Sequence, residues 1–281
     1  MMVPHEISIL ASSDPASGAR NVSADGSQFE IQFEDALKIP KEAVNITIDV
    51  EEATVWWVVP NIITGDNDRM YITTPRASDD ALTAYVVVIP QGLYDLSGLN
   101  QAISRELQNQ GAKIDPSPGL VLSPDDATQK VELTLNYVGS QIDFTPLDTP
   151  REILGFNSQV IGPTVIAPFT QIADNTASFN QVNYFLIHSD LTNLGIRFNN
   201  QYNQTISQVL IDVPPGSQIV SRPFNPARVN ASELGGANRT NIRFWLTDDK
   251  NRAVNTNNEF FTLRVAIKYL LPHVITNRGL Q

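Results

Sequence analysis

Cysteine is absent from all 281 residues. That excludes disulfides, thiolate nucleophiles, iron–sulfur clusters and thiolate zinc sites, so packing alone must hold the fold together. The chain also lacks an unbroken apolar run of about 18 residues, the length that a membrane-crossing helix needs. Its start, "MMVPHEISILASSDPASGAR", has neither a basic leading region nor a long apolar core, so no secretory signal is expected. Cations are scarce, with 19 Lys and Arg against 30 Asp and Glu and a formal net charge of −11. No basic run relieves that balance, so sequence-specific nucleic-acid binding is not expected. Five Asn-x-Ser/Thr triplets, at Asn21, Asn45, Asn203, Asn230 and Asn238, read as products of an Asn- and Thr-rich chain when no secretion signal accompanies them.

Apolar side chains are plentiful. Hydrophobic residues make up 42% of the chain and charged ones 17%, which is the balance of a folded protein with a sizeable core. "SQFEIQFED" alternates Phe29, Ile31 and Phe33 with Glu30, Gln32 and Glu34, the period of a half-buried strand. "VNITIDVEEATVWWVVP" predicts two further strands, with Trp56 and Trp57 on opposite faces of their sheet. "DRMYITT" and "TAYVVVIP" add two more, with the polar "GDND" and "PRASDD" as turns.

At Pro90 the period changes. Leu96, Leu99, Ile103 and Leu107 recur at helical spacing, with Ser97 as the expected N-cap and Gly111 as the expected stop. Strands "GLVLSP" and "QKVELTLNYV" follow, then a helical turn at "TPREILGF". Residues 91–161 therefore read as a small α+β subdomain set between β segments. The strand pattern resumes through "QVNYFLIHSDL", "LGIRFNN", "ISQVLIDVP" and "SQIVSRPF", and Ile242 to Leu271 reads as a closing hairpin. The expected fold is all-β, a sandwich or jelly roll with that inserted subdomain.

Reactive constellations are few. His188, Ser189 and Asp190 are consecutive, and neighbours in a strand point to alternate faces, so they do not form a triad. His188 reads instead as a residue at a strand end. The pairs Asp66/Asp68, Asp79/Asp80 and Asp125/Asp126 lack the spacing of a calcium loop and read as turn formers. Asp49, Glu51, Asp212 and Glu259 are the carboxylates from which a glycosidase pair would be drawn, but nothing in the sequence pairs them. No catalytic residue, cofactor site or metal site is assigned. Trp56, Trp57 and Trp245 sit in strongly alternating strands, where core or subunit interface outweighs a sugar platform.

The order of "LKIPKEAVNITIDVEEATVWWVVPNI", "IPQGLYDLSGLNQAISREL", "LGF", "LIHSDL", "GIRFNN", "VLIDVPPGSQIVSRPFNPARVNASELGG" and "FWLTDDKNRAV" before "EFFTLRVAIKYL" resembles the vertex (penton) capsid proteins of virophages and Polinton-like viruses. The resemblance spans most of residues 28–271 and includes the entry Pro90-x-Gly92-x-Tyr94-x-Leu96-x-x-Leu99 to a helix. It implies a single upright jelly roll over residues 28–90 and 162–271, with the insertion at 91–161, an N-terminal arm over 1–27 and a tail over 272–281. It further implies a homopentamer at the vertices of an icosahedral double-stranded-DNA virion. The partners would be the major capsid protein and a spike or receptor-binding protein; membrane contact is not expected, and the place left open to it is beneath the vertex. Trp56, Trp57, Asn199, Asn200 and Tyr202 are the expected subunit contacts. The alternative is a receptor- or glycan-binding β-sandwich of a spike or fibre.

Overall fold

The structure is a computed structural model that describes residues 1–180, 182–198 and 201–272. Its strands in chain order are β1 (Met2–Ser12), β2 (Gln28–Lys38), β3 (Val44–Trp56), β4 (Arg69–Pro75) and β5 (Leu82–Val88). Helix α1 (Leu96–Asn109) precedes β6 (Leu120–Asp125), β7 (Lys130–Leu135) and β8 (Gln141–Asp143). After α2 (Arg151–Leu154) come β9 (Val160–Ile161), β10 (Phe169–Ile172), β11 (Tyr184–Ser189), β12 (Arg197–Phe198) and β13 (Gln201–Tyr202). The chain closes with β14 (Thr205–Leu210), β15 (Gln218–Ser221), β16 (Val229–Asn230), β17 (Asn238–Thr247) and β18 (Thr262–Pro272). Two compact units result, one of Met1–Val59 with Val182–Gln281 and the other of Pro60–Gln181.

The first unit is a sandwich of two antiparallel sheets, ordered β1-β18-β3-β15 and β14-β11-β17-β2, with β16 added beside β3. Counted along the sandwich alone, its eight main strands pair first with eighth, second with seventh, third with sixth and fourth with fifth. That nesting is one long antiparallel ribbon, with its tip at β11 and β14, rolled until its two ends lie in facing sheets. The fold is a jelly roll. Alternation along the strands turns Ile46, Ile48, Val50, Phe29 and Phe244 inward, and Phe261, just before β18, is buried with them. Phe29 meets Phe244 at 5.6 Å between ring centroids and Phe261 edge-on at 5.1 Å.

Several sequence expectations are corrected here. β17 and β18 are not a hairpin, because β17 pairs with β2 and β11 while β18 pairs with β1 and β3 in the other sheet. Two alternating runs around a polar loop look the same whether the chain turns back or crosses between sheets. Val44 to Trp56 is one strand, not two, with a register shift opposite Arg264 and Val265 that resets its alternation. Residues 1–27 are not a free arm, since β1 pairs with β18 along its whole length from Met2↔Pro272 to Ser12↔Thr262. Val3, Ile7, Ile9 and Ala11 carry the strand period there, and Pro4 is tolerated because β1 lies at the sheet edge. The tail from residue 273 onward lies outside the described residues.

The second unit is wider than the expected 91–161. β4 and β5 belong to it because β4 pairs with β8 as well as β5, in the order β5-β4-β8-β9. β10 belongs to it because it pairs with β7 in a three-stranded sheet, β10-β7-β6. Periodicity marks these runs as strands but carries no information about which sheet takes them. α1 buries Leu99, Ala102, Ile103 and Leu107 against Met70, Ile72, Val87, Leu122 and Leu133. Its N-cap is Asp95, whose carboxylate accepts the Gly98 N–H at 2.6 Å, rather than Ser97. Gly111, at φ 83°, ends the helix as expected. Asn100 closes the open edge of β6, accepting from Leu122 N–H at 2.8 Å and donating to Leu122 C=O.

Candidate functional site

The outer face of the sheet β1-β18-β3-β15 carries a charged network. Lys268 of β18 donates to Asp49 at 3.0 Å and to Glu51 at 3.1 Å, both from β3, and lies 3.9 Å from Glu6 of β1. Asp49, followed by the contribution of Glu51, holds the Lys268 ammonium above its ordinary value against the opposing effect of burial. Four residues further along the strands, Leu10 faces Arg264 and Arg264 faces Glu52. Arg222 then reaches Glu52 at 2.8 Å, and this hydrogen bond lowers the Glu52 carboxyl. The notional glycosidase carboxylates Asp49 and Glu51 thus share one ammonium. Sequence reasoning missed this network, because the alternation of β3 and β18 does not say that Lys268 and Asp49 share a sheet face.

The outer face of the other sheet is built differently. His188 of β11 is 1% exposed, with Nε2 at 2.7 Å from Thr247 Oγ1 and Nδ1 at 3.1 Å from Thr205 Oγ1. Trp245 stacks on the imidazole at 5.2 Å and an 8° interplanar angle, and the Arg243 guanidinium lies over the same indole at 5.0 Å. Burial pushes the His188 pKa down to about 4. A neutral imidazole held by two threonines and roofed by tryptophan packs strands together. Ser189 is buried, and the Asp190 carboxylate accepts the Arg243 N–H at 3.0 Å, so these three neighbours form no triad.

A family model described as a bacterial Ig-like domain matches residues 6–110. That stretch runs across the junction between the two units and coincides with neither. A search of the curated proteins finds no match. Among solved structures, the chain is similar to the mavirus penton protein at 12% identity and a TM-score of 0.45, covering 96% of this chain and 100% of that one. It is also similar to a chain of the Sputnik virophage structure at 11% identity and a TM-score of 0.39, covering 95% and 97%. The jelly-roll assignment rests on the strand order itself.

Of the five expected contact residues, Trp56, Trp57 and Tyr202 lie among the described residues. Trp57 is 2% exposed and packs edge-on against Phe185 at 6.1 Å, so it is a core residue and not available to a partner. Trp56, its neighbour on the opposite face, is half-buried and faces outward opposite Gln218 of β15. Tyr202 lies in the short strand β13, opposite Arg197 of β12. Asn199 and Asn200 lie outside the described residues. Two of the Asp-rich segments behave as turns, with Asp79 accepting the Ala81 N–H and Asp125 the Ala127 N–H, whereas Asp68 is buried just before β4. Among the described residues no group of three or more metal-ligating side chains is found, and no helix is long and apolar enough to cross a membrane.

Proposed function

We propose that this chain is a structural capsid protein that assembles as a homopentamer at the vertices of an icosahedral double-stranded-DNA virion, beside the major capsid protein. The observation that carries the reading is the nested strand order, with first strand paired to last and second to seventh. A rolled ribbon places its connections at the two ends and leaves its sheet faces and edges free for sideways packing. In a ring, each subunit offers one face to a different face of the next, and the rotation closes the set. Such contacts need about 1,000 Å² or more of buried surface each.

The surface chemistry supports assembly over catalysis. Two of the four carboxylates from which a glycosidase pair would be drawn, Asp49 and Glu51, share the Lys268 ammonium, and His188 is sealed under Trp245. In the second unit, Leu82, Val86 and Val88 form an exposed apolar stripe on edge strand β5, a feature that a lone soluble domain would blunt. That stripe suits contact with a spike or a neighbouring capsomer. The glycan-binding alternative needs an open aromatic platform, whereas Trp57 is core and Trp245 already carries two stacking partners.

The mass of the purified protein in analytical ultracentrifugation, over a range of concentration and salt, tests the proposal. A closed fivefold particle is expected. A stable trimer would point to a spike instead, and a monomer that forms no pentamer with the major capsid protein would overturn the reading.

A further inference from the structure

Asp49 sits in the middle of β3 on the face turned away from the core, yet its side chain is 1% exposed. The loop between β15 and β16 folds over it, and beside it lies a cavity of about 360 Å³ lined by Asp49, Glu51 and loop residues Pro223 to Pro226. Asp49 Oδ2 accepts from Lys268, but buried Oδ1 accepts from nothing in the described chain. A buried carboxylate oxygen without a donor keeps its full desolvation penalty, so an unmet acceptor of this kind marks a place where a donor is wanted. Glu51 also uses only Oε1, for Lys268, among the described residues. Three carboxylates share one ammonium here, which leaves negative charge to be balanced.

The chemistry of the missing donor can be read from the walls. A metal ion is a poor fit, because the Lys268 ammonium already stands between the carboxylates. The unmet, buried Oδ1 of Asp49 and the uncommitted second oxygen of Glu51 suit a planar group with paired N–H donors. Pro223, Pro226 and the ring of Phe224 offer flat apolar surfaces on which such a plane can rest. Phe224 is 98% exposed, so its ring is covered by nothing in this chain. We propose that this notch on the outer sheet face binds an arginine side chain presented by a partner protein, with Asp49 and Glu51 as acceptors and Phe224 as its stacking surface. The inference does not depend on the capsid reading. Arg228 also lines the cavity, forms no ion pair among the described residues, and is the competitor within the chain.

The test uses the full chain and Nα-acetyl-arginine amide as probe, followed by NMR chemical shifts, with Nα-acetyl-lysine amide as control. Saturable shifts around the notch are expected with the arginine probe, and weaker ones with lysine. Asp49→Asn should weaken binding about tenfold through loss of a charge-assisted hydrogen bond. Phe224→Ala should weaken it about two- to fivefold, the scale of an exposed cation–π contact. Phe224 is a surface side chain, so its variant remains informative if Asp49→Asn fails to fold. Shifts that do not saturate, an equal response to the lysine probe, or an unchanged affinity in Phe224→Ala would overturn the proposal. So would binding that appears only in Arg228→Ala, since the chain's own arginine would then be the occupant.

Discussion

The two units differ in how far apart in the chain their paired strands lie. In the sandwich, β1 and β18 join Met2 to Pro272, and β3 and β15 join Trp56 to Gln218 across the whole insertion. In the insert, β4 meets β5 across residues 76–81, and β6 meets β7 across residues 126–129. Loop-closure entropy therefore falls mainly on the sandwich, which recovers it through long strands and an aromatic core. Charge divides unevenly as well. Residues 60–181 hold 6 basic and 14 acidic side chains, against 13 and 16 in the rest of the chain. The insert, the smaller of the two units, thus carries most of the net negative charge.

The contrast can be broken most forcefully in the sandwich core. Phe244→Ala or Trp57→Ala should each cost about 3–5 kcal/mol, read from denaturant unfolding, while Trp56→Ala, on the outer face, should cost well under half as much. If the units unfold separately, the transition of the insert stays where it was. One merged transition would show that the insert cannot stand without the sandwich.

Acidity offers a second handle, because all three histidines lie outside the insert. His188 has its pKa lowered from 6.5 to about 4, so between those values the unfolded chain takes a proton that the folded one refuses. Sandwich stability should therefore fall as pH drops through that window, by about 3 kcal/mol in total. Unfolding curves of His188→Gln should lack that slope. The insert should show no histidine-type slope over the same range.

A smaller effect belongs to the insert. Asp95→Ala removes the cap of α1 and should cost that unit about 1 kcal/mol, seen as reduced hydrogen-exchange protection over Leu96–Asn109. Smallest of all, Arg222→Ala opens the exposed Glu52 pair and should leave the unfolding midpoint unchanged within error.

How much of this was readable beforehand follows the same division. Local signals survived: the period-two runs at Phe29 to Phe33, the apolar stripe of α1, and the stop at Gly111. That Trp56 and Trp57 face opposite ways was legible, but which of them points inward was not, because that depends on the strand opposite. Strand partners at long separation were invisible. Residues 1–27 read as an arm, the edge of the insert was drawn too narrowly, and the last two strands read as a hairpin. The Lys268 network failed to show for the same reason, since its members lie 219 and 217 positions apart.

The pairing of the first strand with the last also sets a timetable. During translation Met2 to Ser12 emerges long before its partner Thr262 to Pro272. The insert has all its partners in hand much earlier, and domains tend to fold as they emerge. In the interval between them the growing polypeptide holds a finished insert and a half-built sandwich with open strand edges. A message cut short before codon 262 would leave β1 and β3 permanently unpaired along the edges that β18 should fill, so premature termination here yields a sticky product rather than a smaller working one.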